Sequence, residues 1–164
     1  MRHVLTPLLL AAALVAGGCD EQRASKLEEG VSTEYDVRHQ FGEPAQVVER
    51  PDGSKVFSYP RQPEGTTNYE IAIGPDGKMS SLRQLLTPAN FAKVQPGMYQ
   101  GDVRRLLGRQ AKSVFYATKP DEEVWQWRFV QGQTPKVFEV TFDRDRKVLA
   151  TATVDDERHT LPAK

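Results

Sequence analysis

The sequence predicts an α+β chain of two tandem units, each a pair of short helices followed by four antiparallel strands, the two together forming a larger curved sheet with helices on one side. Three observations carry this reading. Within each half the apolar spacing changes from a helical three-to-four to a strand-like two. The stretch Gly30 to Pro44 returns as Gly97 to Gln110, with Asp36-Val37-Arg38 matching Asp102-Val103-Arg104 and Phe41-Gly42 matching Leu107-Gly108. Lys55 to Tyr59 likewise parallels Glu123 to Trp127, and Tyr69 to Ile73 parallels Phe138 to Phe142. Turn clusters such as Pro51-Asp52-Gly53 and Pro75-Asp76-Gly77 separate the period-two runs.

The chain opens with Arg2, an apolar run from Val4 to Val15 broken by Thr6 and Pro7, and the small residues Ala16, Gly17 and Gly18. That order reads as an export signal over residues 1–18, and the run is too short to span a bilayer. Cys19, the single cysteine, follows at once. Small residues running into a cysteine resemble the bacterial lipobox, with Ala16 standing where leucine is commonest. The resemblance implies lipidation of the Cys19 thiol and a mature chain that starts there. At about 0.8 kcal/mol per buried methylene, several acyl chains make a permanent membrane anchor. Residues 19–25 are then the lipidated cysteine and a tether, because Asp20 to Ser25 are polar and patternless.

Residues 26–86 form the first unit. Val37 and Phe41 share one helix face and Gly42 ends the helix. Strands are expected at Gln46–Arg50, Lys55–Tyr59, Asn68–Ile73 and Lys78–Leu85, with the proline-containing segment Arg61 to Thr67 as a longer loop. Residues 87–155 form the second unit. Thr87 caps a helix whose first position is Pro88, Phe91 and Val94 lie on its apolar face, and Pro96-Gly97 stops it. A second helix carries Val103, Leu106 and Leu107 on one face and ends at Gly108. Gly30 and Gly97 are the expected pivots between helices. Strands follow at Lys112–Thr118, Glu123–Val130, Lys136–Phe142 and Lys147–Val154. Residues 156–164 are a polar tail, expected to fray from Asp155 onward.

One strand of the second unit alternates Trp125, Trp127 and Phe129 against Val124, Gln126, Arg128 and Val130. The bulkier set is assigned to the core. Trp125 and Trp127 have a second reading as partner-binding residues, since aromatic side chains beside arginine form binding hot spots. Arg128, Gln126 and Tyr116 are the candidate partner-binding residues on the surface.

Lysine plus arginine (22) balances aspartate plus glutamate (22), which gives no electrostatic case for nucleic acid. No catalytic residue, metal ligand set or cofactor is expected. After the signal only His39 and His159 remain, neither at metal-ligand spacing. Asp143 and Asp145 alternate as calcium ligands do but sit in a loop without the glycine and distal glutamate of an EF-hand. No Gly-x-Ser-x-Gly elbow or phosphate-binding glycine loop is present, and the Asp121-Glu122-Glu123 and Asp155-Asp156-Glu157 runs read as solvated charge.

The stretch Gly97-Met98 through Asp102-Val103-Arg104 to Leu107-Gly108, preceded by Leu86-Thr87-Pro88-Ala89-Asn90-Phe91, resembles the SmpA/OmlA family of BamE-like outer-membrane lipoproteins. The resemblance covers residues 86–155 and, more weakly, the first unit. Two departures accompany it: BamE resembles one unit where this chain has two, and Gln110 stands where the family and the first unit (Pro44) carry proline. The tandem arrangement is similar to that of the β-lactamase inhibitory protein. What the resemblance implies is a non-enzymatic, lipid-anchored scaffold on the periplasmic face of the outer membrane. Its partner would be another envelope protein, with the β-barrel assembly machinery the first candidate, and it would act on no small-molecule substrate. Asp20 directly after the cysteine would, in enteric bacteria, direct retention in the inner membrane. The alternative function is an inhibitor of a periplasmic or secreted enzyme, gripping it on a concave sheet.

Overall fold

A computed structural model describes residues 19–159. The expected export signal and residues 160–164 lie outside the described residues, as do the side chains of Cys19 and His159. Helices α1 (Cys19–Ala24) and α2 (Glu34–Phe41) precede strands β1 (Gln46–Glu49), β2 (Lys55–Pro60), β3 (Asn68–Ile73) and β4 (Met79–Gln84). Helices α3 (Pro88–Phe91) and α4 (Gln100–Leu107) then precede β5 (Lys112–Tyr116), β6 (Lys119–Gln131), β7 (Thr134–Phe142) and β8 (Val148–Asp155), and a turn of 3-10 helix follows at Glu157–His159. The chain is thus α+β with two four-stranded antiparallel sheets, each a simple meander in chain order. Most strand ends fall within two residues of those read from the alternation. β6 is the exception and begins at Lys119, because Pro120 and three consecutive acidic residues hide its period while the Tyr116↔Lys119 pairing closes the hairpin.

Each sheet is covered on one face. Val37 and Phe41 of α2 bury against Phe57, Tyr59, Tyr69, Ile71, Ile73 and Met79. Phe91 of α3 and Val103 and Leu107 of α4 bury against Trp125, Trp127, Phe129, Phe138, Val140 and Phe142, with Phe91 stacked 4.2 Å from Phe138. The aromatic side of β6 is therefore the core, where each large side chain contributes about 1.5–3 kcal/mol.

The helices are stitched to their sheets by matching bonds. Gly30 N–H donates to Met79 O and Gly97 N–H to Val148 O, both at 2.8 Å, and isolated bridges join Thr33 to Lys78 and Tyr99 to Lys147. Gly42 and Gly108 end α2 and α4 with positive φ, which leaves their carbonyls pointing at the sheet. Tyr59 Oη donates to Gly42 O, and Trp127 Nε1 to Gly108 O, each at 3.1 Å.

Three expectations are corrected. The two halves do not form one larger curved sheet: no strand pairing links β1–β4 to β5–β8. Side-chain amides join them instead. β6 runs on past the end of β5, so one side of its backbone is bare at Arg128, and Gln62 fills it by donating to Arg128 O (2.8 Å) and accepting from Arg128 N–H (3.1 Å). Asn68, 1% exposed, donates to Leu107 O (2.7 Å) and Arg109 O (2.9 Å), satisfying carbonyls at the end of α4. At the position of β2 that corresponds to Arg128, Pro60 has no N–H to leave bare.

The segment Asp20 to Ser25 is not a free tether, since α1 is helical and docked. Asp20 in its first turn and Arg23 in its last suit the helix dipole, and Asp20 pairs with Arg23 (2.8 Å) and across 41 residues with Arg61 (2.7 Å). Nor does the tail fray from Asp155. Asp156, 3% exposed, holds Arg158 at 3.0 Å.

Candidate functional site

A shallow cleft of about 420 Å³ lies where the first turn of α4, strand β6 and the β7–β8 turn meet, lined by Tyr99, Gln100, Arg104, Trp125, Asp145 and Arg146. α4 positions its side through Tyr99, whose N–H donates to the Asp102 carboxylate (3.3 Å), so the helix starts with a satisfied backbone group. Arg104, one turn on, lays its guanidinium 4.6 Å over the Trp125 ring and donates to Gln110 Oε1 at 2.9 Å. Tyr99 is 56% exposed, with Lys147 Nζ 5.3 Å from its ring.

Beside the cleft stands Glu123, whose carboxylate accepts from Trp125 Nε1 (2.7 Å), Gln100 Nε2 (2.6 Å) and the Ser113 hydroxyl. Burial pushes this carboxyl up, but the three hydrogen bonds and the charge of Arg146 outweigh it and hold Glu123 below the usual carboxylate range. The group stays ionised, which suits a fixed negative charge better than a proton donor.

The corresponding place in the first half is arranged differently. Arg38 lies 4.7 Å over Phe57, as Arg104 lies over Trp125, but Glu34 sits where Gln100 does and Lys55 where Glu123 does. Glu34 bridges Lys55 (2.9 Å) and Arg38 (3.0 Å), and the Lys55 hydrogen bond leads in holding its carboxyl low. The first half fills this position with its own ion pairs.

The residues expected to meet a partner are dispersed. Trp125 and Trp127 are 6% and 0% exposed and belong to the core. Arg128 is not an open surface residue. Its Nη1 donates to Pro63 O (3.0 Å), and its Nε lies 3.2 Å from Asp156 Oδ2, within ion-pair reach but off the line of a hydrogen bond. It seals the junction between the halves. Gln126 lies on the face opposite the helices and donates to Glu139 Oε1 at 2.7 Å. Tyr116 is 47% exposed at the β5–β6 hairpin, next to Phe115 at 68%. Sequence reasoning missed Arg104, Arg146 and Glu123 as neighbours, although the exchange of Glu34 and Lys55 for Gln100 and Glu123 between aligned halves was the available signal.

The sheet faces opposite the helices also correspond. Val48, Val56, Ala72 and Ser81 pair across the first sheet, and Val114, Val124, Thr141 and Ala150 across the second. Among the described residues no cluster of histidine, cysteine, aspartate or glutamate is placed to hold a metal ion, and no helix is long and apolar enough to cross a membrane.

No family model and no curated protein matches the chain. Among solved structures, it is similar to a DUF4309 family protein from Bacillus subtilis, at 18% identity and a TM-score of 0.33, over 82% of this chain and 86% of that one. It is also similar to an extracellular protein containing an SCP domain from Bacillus anthracis, at 10% identity and a TM-score of 0.30, over 98% of this chain and 51% of that one.

Proposed function

We propose that the chain is a lipid-anchored, non-catalytic scaffold that binds another envelope protein, built from two copies of one BamE-like helix-helix-sheet unit and held at the periplasmic face of the outer membrane. The observation that supports it most is the agreement of the halves in bonds that sequence similarity alone does not require. The helix-to-sheet bridges, the donor from the second strand to the cap glycine, and the β-bulge before the end of the third strand recur at corresponding residues. Each unit covers one sheet face with helices and leaves the other without a helix, which gives the body two broad surfaces for contact.

Cys19 is the attachment point in this reading, and α1 begins at that residue. With Asp20 held by Arg61, the acyl chains would enter the bilayer close to the folded body, so the scaffold would work near the membrane surface. Affinity purification of the protein from detergent-solubilised envelopes tests the assignment. Repeated recovery of β-barrel assembly components supports it, and repeated recovery of none removes the assembly role.

A further inference from the structure

The geometry points to the cleft between α4, β6 and the β7–β8 turn as a docking site for a carboxylate side chain of an acidic partner segment, received by Arg104 and Arg146. This rests on the protein-binding reading above and gives it a site and a partner chemistry.

The first half supplies the argument, because it holds such a carboxylate already. There Glu34 lies between Arg38 and Lys55, with Arg38 stacked on Phe57. The second half keeps the stacked arginine, Arg104 on Trp125, but its helix offers neutral Gln100 in place of the carboxylate. The helix carboxylate has been removed and the arginine retained, with the neutral Gln110 Oε1 as its acceptor. The strand cation is replaced by Glu123, which is occupied by Gln100, Ser113 and Trp125. A second cation comes from the turn instead.

That cation is Arg146, and its backbone marks it out. It is the one non-glycine residue with positive φ (62°) among the described residues, at the position where the first half has Gly77 (φ 77°). A left-handed conformation costs a side-chain-bearing residue about 1–2 kcal/mol, so glycine is the favoured occupant on stability grounds. An arginine here carries strain and lines the cleft; its backbone bonds Asp143 O and Gln100 N–H, while its side chain makes no hydrogen bond or ion pair of 4 Å or less with another described residue and acts on Glu123 only through its charge. Strain held at a cleft by a charged side chain that no hydrogen bond or short ion pair engages is the pattern of a binding residue. Two guanidiniums beside the exposed Tyr99 ring suit a carboxylate on a chain with some apolar character.

Arg146→Gly separates binding from folding, since it relieves the strain it exposes. The labelled protein is titrated with acetyl-Glu-Glu-Glu-amide and with acetyl-Gln-Gln-Gln-amide, following the Trp125 indole N–H and the Gln100–Arg104 amides by NMR. Saturable shifts with the glutamate peptide alone, weakened about tenfold in Arg146→Gly and again in Arg104→Gln, are expected. The Arg146→Gly variant should unfold at the same or higher temperature. Equal shifts with both peptides, no saturation, or undiminished binding in folded Arg146→Gly would overturn the proposal. The titration needs neither acylation nor a known envelope partner, so its failure is distinct from failure of the scaffold assignment.

Discussion

Asn68 reaches from the start of the third strand of one half to the helix end of the other, its Nδ2 lying 2.7 Å from Leu107 O and 2.9 Å from Arg109 O. Asn68 is 1% exposed and its side chain closely approaches Gly108, so the two carbonyls take their donor from this amide and not from bulk water. Asn68→Ala should therefore destabilise the protein by about 1–3 kcal/mol for each carbonyl left without a donor. Urea unfolding measures this. A loss within error would mean that the halves are not held together by this amide.

Tyr59 makes the corresponding bond within its own half, to Gly42 O. Burial, ahead of the neighbouring charges, pushes its phenol from 10 up to about 12. A group raised in the folded state contributes stability that is whole below its unfolded value and fades as pH rises through the folded one. The folded protein should accordingly lose stability between about pH 10 and 12, and Tyr59→Phe should flatten that loss while costing about 1 kcal/mol at neutral pH. Tyrosinate absorbance and thermal melts across the alkaline range report both.

Glu123 titrates in the opposite sense. Its folded value lies below 4.5, so its contribution is present above that pH and is lost as pH falls through the folded value. Melts of the native protein and of Glu123→Gln should converge as acidity rises past 4.5. A constant gap would show that the three hydrogen bonds do not favour the ionised form.

Arg128 and Gln126 should behave differently from each other. Arg128→Ala leaves Asp156, 3% exposed, with one cation instead of two and frees Pro63 O, so a loss of about 1–3 kcal/mol is expected. Gln126→Ala removes an amide on the uncovered face and should stay within about 0.5 kcal/mol. Chemical denaturation of the two variants distinguishes a junction residue from a surface one.

Strands were legible because one face of each sheet is dry and the other wet, which writes a period of two into segments such as Asn68–Ile73. α1 was not, because six largely polar residues carry no periodicity and their docking partners, Arg61 and the first core, come from elsewhere in the chain. Gln62 and Asn68 were equally silent. An isolated amide in or beside a loop gains its role only when a distant backbone arrives with bare groups, and no local pattern announces that. Arg128 misled for the same reason. Its position on the face opposite the helices was correctly read, but the loop at Pro63 and the tail at Asp156 that cover it come from elsewhere in the chain. The cleft is written in the differences between the aligned halves, Glu34 against Gln100 and Lys55 against Glu123, and not in their similarities.

Intact-mass and N-terminal analysis of the protein recovered from bacterial envelope membranes tests the scaffold account most directly. It predicts a chain that starts at Cys19 and carries diacylglycerol on the thiol and an acyl group on the new amino terminus. A membrane-free protein with an unmodified Cys19 thiol would contradict it.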